Sequence, residues 1–364
     1  MVRQNNTNFS DVLSGETKKH YSNIDLARSI AILAVVLCHA STEVYKYGYE
    51  AMNSLPQIDQ NAATLFLTFG RVGVPLFLYI SGFLLLQKEY TIDSSVSFWK
   101  RKLWTLVYVT EIWIVLYNIF FIAMGSSIRF QDIVLEIAFL KLVPMPHVWY
   151  MPMIIGVYCF IPFVSNALKK ISVPAVWFPL TCGIVVSFLF PTIQILLSQL
   201  NSNYYIAPLL DFGFSGGVYG IYLVLGQVLR PAQKRRQRWY FVIMFIATGA
   251  AFGYQRFLYY WQGYDLWYNC VFLLLATMAL WKILLGIPLQ TNGIFCFIIK
   301  KIADCSFGIY LLHYPVLVLI APGITLSNRA IRTLILWGGA SAIAFILTLG
   351  ISKFKYGKVL LMTK

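Results

Sequence analysis

Ten apolar runs divide this chain, each near the roughly 20 residues that cross a bilayer as a helix. They cover residues 24–44, 64–87, 103–124, 148–166, 174–198, 212–229, 239–255, 266–284, 304–321 and 333–352. The pattern predicts an all-α polytopic membrane protein of about ten transmembrane helices. The fourth and sixth runs are short and interrupted by Pro or Gly, so their ends are open. Residues 128–141 have helical spacing with Asp132 and Glu136 on it, which predicts an interfacial helix and not a further crossing.

Outside these runs little is left to fold. Residues 1–22 are polar and lack the apolar core of a signal peptide, so they predict a flexible cytoplasmic tail. Residues 23–358 form one membrane domain, and 359–364 a cytoplasmic end. No other polar block has the size of a soluble catalytic domain.

Charge orients the bundle. Cytoplasmic loops carry the excess of Lys and Arg. With both termini inside, the inner segments hold 21 of the 29 basic residues and the outer loops six. The other two, Arg28 and Arg71, lie within spans, while Lys282, at the inner end of the eighth run, is counted with the inner segments. Composition agrees: 59% of the residues are hydrophobic and 12% charged, against about 25% charged in a soluble domain. A net charge of +15 raises a nucleic-acid partner, but the alternation of basic residues by loop excludes it. The six cysteines are scattered and show neither zinc-site nor disulfide spacing. The aromatic groups Trp149–Tyr150, Tyr204–Tyr205, Tyr259–Trp261 and Trp267–Tyr268 fall at outer ends. An interfacial belt accounts for them, with sugar stacking as the alternative. No internal repeat is evident, which weighs against the common transporter folds.

Ionisable residues inside spans are costly, at about 2.5–3.5 kcal/mol near the helix centre, and therefore mark function. Arg28 and His39 are eleven residues apart, about three turns and 16 Å along one helix face. His39 suits a general base, because an imidazole accepts a proton near neutral pH. Arg28 suits an anion site with its forked guanidinium, although snorkelling to headgroups would also explain it. Asp25 is one turn away and able to pair with it. Arg71 precedes Gly73 and Pro75, so the helix is expected to open there. It is a candidate oxyanion stabiliser or a partner of His39. Glu111 reads as a buried carboxylate that must be paired or protonated. His147 falls at the outer mouth of the fourth span and His313 near mid-membrane. Ser81–Gly82 reads as close helix packing, and Lys234–Arg236 as ordinary inner-loop charge. No metal-ligand cluster or nucleotide-binding Gly-rich loop is visible.

Several stretches together carry a resemblance. They are Asn23-Ile-Asp-Leu-Ala-Arg28 followed after ten residues by His39, Gly73-Val-Pro-Leu-Phe-Leu-Tyr-Ile-Ser-Gly-Phe83, His147-Val-Trp-Tyr150, Tyr219-Gly-Ile-Tyr-Leu-Val-Leu-Gly226 and Ser306-Phe-Gly-Ile-Tyr-Leu-Leu-His313. In this order they resemble the acyltransferase-3 family of integral-membrane acyltransferases, in its stand-alone bacterial O-acetyltransferase branch. The resemblance implies acetyl transfer from cytoplasmic acetyl-CoA to hydroxyls of surface or lipid-linked glycans, in the bacterial cytoplasmic membrane. It implies an essential pair in Arg28 and His39, a basic position at Arg71, and a donor contact at Arg101. The second arginine of the family's Arg-x-x-Arg pattern is absent, since position 104 is Trp.

The resulting expectation assigns His39 and Arg71 to catalysis and Arg28 and Arg101 to the donor. Asp25, Glu111, His147, Trp149, Tyr310 and His313 are placed in support. Acetyl-CoA acts as substrate, with no bound cofactor, no metal and no nucleic acid, and membrane lipids surround the chain. Two rivals remain at this stage: an exporter of lipid-linked sugars, and a non-enzymatic sensor or membrane half of a larger complex.

Overall fold

The computed structural model describes residues 22–199, 217–229, 237–261, 266–287 and 293–363. Among these the chain is helical without strands. Among the described residues eight helices are long and apolar enough to cross a membrane: Asn23–Tyr45, Gln57–Leu85, Ile92–Ala123, Tyr150–Lys170, Val173–Ser198, Gln237–Leu258, Ser306–Gly323 and Arg329–Ile351. Within the expected runs at 212–229 and 266–284 the described residues hold the helices Gly217–Val228 and Val271–Gly286, while 212–216 lie outside the described residues. Twelve helical residues rise only about 18 Å, less than the ~30 Å hydrocarbon core. The interfacial segment is a short helix, Phe130–Ile137. Its Asp132 pairs with Arg129 and Lys141, while Glu136 is buried and accepts from Asn118 Nδ2 at 2.7 Å.

The first helix, Ser22–Tyr45, is the hub. It packs against Gln57–Gly70, Gly73–Leu85, Val271–Gly286, Ile294–Asp304, Ser306–Ile320 and Arg329–Ile351. Small buried residues, Ala27, Ala31, Ser29 and Ala40, allow that crowding. The Ser29 hydroxyl donates to the Ile299 carbonyl at 2.9 Å, fixing the Ile294–Asp304 helix to it. A second seam joins Gly73–Leu85 to Gly217–Val228 through glycines on both sides. A Cβ on Gly82 would lie 1.8 Å from the Leu223 carbonyl oxygen, and one on Gly226 2.3 Å from that of Tyr79. Gly82 therefore serves close packing, as its sequence context indicated.

Two basic segments that the charge pattern assigns to inner loops are helical. Lys100, Arg101 and Lys102 lie in a π-helical turn, Trp99–Leu103, inside a continuous helical rod and not in a loop. The Trp104 N–H reaches back to the Trp99 carbonyl, one residue further than in an α-turn. Lys300 and Lys301 lie on the Ile294–Asp304 helix. Arg230 and Lys234–Arg236, as well as Tyr204–Tyr205, fall outside the described residues.

Candidate active site

The second rod breaks where its sequence says it should. The helix Gln57–Gly70 ends, Arg71 and Val72 form a turn, and a new helix starts at Gly73. Pro75 has no N–H to give the Arg71 carbonyl, so the α-ladder is interrupted there. The break lies directly against the first helix. A Cβ on Gly70 would meet the Cys38 backbone at 2.7 Å, and one on Gly73 would meet the Ala31 carbonyl at 2.6 Å. Because Gly70 seats on Cys38, the next residues on the two helices, Arg71 and His39, line the same cavity.

Arg71 is 9% exposed and held by aromatic rings. Its guanidinium carbon lies 5.0 Å from the Trp267 ring centre and 5.4 Å from that of Tyr268. Its Nη1 donates to the Tyr268 hydroxyl over 3.5 Å. Trp149 completes this wall, with its ring 5.6 Å from Trp267, 5.5 Å from Tyr268 and 5.7 Å from Tyr219. Such a site fixes a cation in a largely dehydrated place.

Three of the four histidines converge beside it. The His39 ring centre lies 6.0 Å from His147 and 5.3 Å from His313, and the latter two are 4.8 Å apart. Tyr314 packs on both His39 and His147 at 5.6 Å. Hydrogen bonds set two of the tautomers. The Tyr117 hydroxyl donates its one proton to the Leu311 carbonyl at 2.8 Å. It therefore accepts from His147 Nε2–H at 3.2 Å, which leaves His147 Nδ1 unprotonated, buried and without a partner. His313 Nδ1–H donates to the Tyr310 carbonyl at 2.7 Å, so its unpartnered Nε2 is the free lone pair. The Tyr310 hydroxyl in turn donates to the His147 carbonyl at 2.7 Å and holds that loop in place. His39 Nδ1 is enclosed without a partner, which leaves Nε2 for the cavity.

One cavity of about 690 Å³ joins these groups to a basic mouth. Arg28, Lys88, Arg101 and Lys102 line one part, and His39, Arg71, His147, Trp149 and Tyr268 another. Ser81 and Tyr158, hydrogen-bonded at 3.1 Å, line the stretch that also carries Arg28. The first helix runs unbroken between Arg28 and His39, which sets their separation along the axis at about 16 Å.

Of the residues expected from sequence, Arg28, His39, Arg71, Arg101, His147, Trp149 and Tyr310 all line this cavity. His313 is fully buried behind it, in ring contact with His39 and His147. Asp25 is buried in the first turn and does not line it. Glu111 is half-exposed and not buried as expected. The packed face of its helix is formed by Leu106, Val109, Thr110, Trp113, Ile114 and Tyr117. Lys88, Lys102, Asp304 and Tyr158 also line the cavity without having been named as site candidates, as does Tyr268, which the sequence put among the outer aromatic groups. Lys88 and Lys102 read as ordinary inner charge in the sequence, and both line the cavity. Among the described residues no group of His, Cys, Asp or Glu is arranged to hold a metal ion.

A cationic mouth, a buried imidazole and a dehydrated guanidinium in one cavity form equipment for acyl transfer. The acyltransferase-domain family model of acyltransferase-3 matches residues 21–353. The chain belongs to the acyltransferase-3 family. It is a multi-pass membrane acyltransferase. Comparison with curated proteins and with solved structures gives no match. Within this acyltransferase the family domain ends before the helix Lys355–Leu360.

Proposed function

We propose that this acyltransferase is a membrane O-acetyltransferase that moves an acetyl group from cytoplasmic acetyl-CoA to a hydroxyl of a cell-surface or lipid-linked glycan. In this reading the two shorter helices complete ten crossings, both termini are cytoplasmic, and the membrane is the bacterial inner membrane. The observation that carries it is the single cavity shared by Arg28, Lys88, Arg101 and Lys102 with His39 and Arg71. The cations hold the phosphates of coenzyme A at the inner mouth. The pantetheine arm follows the Arg28–His39 face and brings the thioester to the histidine.

The acceptor hydroxyl enters from the side of Trp149 and Tyr268, whose rings offer a stacking wall for a sugar. His39 Nε2 takes the hydroxyl proton as the oxygen attacks the thioester carbonyl. Negative charge develops on the carbonyl oxygen beside Arg71, which is fixed and desolvated before the reaction begins. The carbon–sulfur bond breaks, the ester remains on the acceptor, and the proton on His39 passes to the departing thiolate. His147 and His313 pack their rings against His39. The physical gain is separation: the charged phosphates stay at the mouth, the neutral pantetheine arm reaches in, and only an acetyl group passes on to the acceptor.

The test is to incubate the purified protein with acetyl-CoA carrying a labelled acetyl group and a surface-glycan extract. Alkali-labile label on the glycan, with release of one coenzyme A thiol per ester, is the expected result. Coenzyme A release without ester formation, or neither, overturns the proposal.

A further inference from the structure

The segment after the family domain returns to the cavity. The helix Lys355–Leu360 follows directly on the Arg329–Ile351 span. Gly357 makes the reversal feasible: a Cβ there would lie 2.0 Å from the Ile351 carbonyl oxygen. Leu361 is then fully buried in the main apolar core. The Trp113 indole N–H donates to the Leu360 carbonyl at 3.0 Å, and the Thr363 hydroxyl donates to Ser352 Oγ at 2.8 Å. Met362 adopts left-handed backbone, φ 45°, a conformation unfavourable for a side chain this size. With Leu361 and Thr363 pinned on either side, that conformation turns Met362 onto the wall of the cavity that Arg28, Arg101, Lys102, Asp304 and Phe307 also line.

Met362 is 40% exposed and not part of the core. It adds a flexible, polarisable thioether to a mouth otherwise rich in cations. Cations suit the phosphates of a nucleotide donor, and the thioether suits the flat apolar base next to them. Resting on the coenzyme A reading above, we infer that residues 360–363 form part of the donor subsite, with Met362 contacting the adenine ring. The anchors at Leu360, Leu361 and Thr363 are positioning groups, and Met362 is the contact.

The experiment uses full-length protein in detergent and measures binding of coenzyme A and of phosphopantetheine, which lacks adenosine. Met362→Cys is folded first and then blocked with a bulky maleimide, alongside wild type treated identically to account for native thiols such as Cys38. Tyr356→Ala, at an exposed ring on the same helix, is the control. The expected result is a tenfold or greater loss of coenzyme A affinity in blocked Met362→Cys. Phosphopantetheine affinity is unchanged, Tyr356→Ala binds like wild type, and bound acetyl-CoA, whose capped sulfur does not consume maleimide, slows the maleimide reaction at position 362. Undiminished coenzyme A binding after the block overturns the inference while leaving the donor reading intact. Equal losses for both ligands overturn the adenine assignment. Failure of wild type to bind coenzyme A removes the donor reading itself and the inference with it.

Discussion

Gly70 lies against Cys38 so closely that a Cβ on it would sit 2.7 Å from the Cys38 Cα. That contact is what aligns Arg71 with His39, since each follows one of the touching residues. A methyl group there forces backbone apart, because nothing at the contact is a flexible side-chain end. Gly70→Ala is expected to lower stability by about 1–3 kcal/mol, as overpacking does. It is also expected to reduce turnover more than tenfold in protein that remains folded. Thermal unfolding in detergent together with a transfer assay reads both, and wild-type turnover in a folded Gly70→Ala protein would contradict this account.

Tyr117 fixes the proton on His147. Tyr117→Phe leaves the Leu311 carbonyl and His147 Nε2 buried without this partner, a loss of about 1–3 kcal/mol. The chemical step should slow while donor affinity stays the same, because Tyr117 does not line the cavity. Separate determination of kcat and of coenzyme A binding checks this. An unchanged kcat would mean that the His147 tautomer is irrelevant to transfer.

Arg71→Lys keeps a charge but loses the fork and the broad face that lies over Trp267 and Tyr268. The expected effect is a fall in kcat of about 100-fold, the scale of losing one oxyanion donor. Coenzyme A affinity should be preserved, as the donor cations lie elsewhere on the cavity. Single-turnover rates at saturating donor make the measurement. Full activity in Arg71→Lys would show that charge alone suffices.

At the mouth, Arg101→Ala and Lys102→Ala are each expected to raise the KM for the acyl donor several-fold without changing kcat. Both effects should shrink as salt rises, because these side chains are exposed and screened. A kinetic series across ionic strength decides it, and a salt-independent loss of kcat would place these cations in the chemistry and not in donor capture.

How far the sequence could lead depends on whether the information is local. Arg28 and His39 declare themselves because one helical period relates them, and the opening at Arg71 because Gly73 and Pro75 follow within four residues. The convergence of His39, His147 and His313 has no local signature. It depends on which helices meet, and the three rings come from positions far apart along the chain. Lys88 and Lys102 were hidden by the positive-inside pattern, which explains any basic residue near a span end without assigning it a task. Glu111 misled for the opposite reason. An apolar run does not say which of its faces is packed, and this carboxylate is half-exposed.

The central claim is that His39 performs the chemistry and Arg28 holds the donor across one cavity. The most direct measurement is transfer of labelled acetyl from acetyl-CoA in proteoliposomes by wild type, His39→Ala and Arg28→Ala at matched protein levels, with coenzyme A binding measured on each. The account predicts that His39→Ala binds coenzyme A like wild type but transfers nothing above background, and that Arg28→Ala loses binding and activity together. Retained transfer by His39→Ala would contradict it.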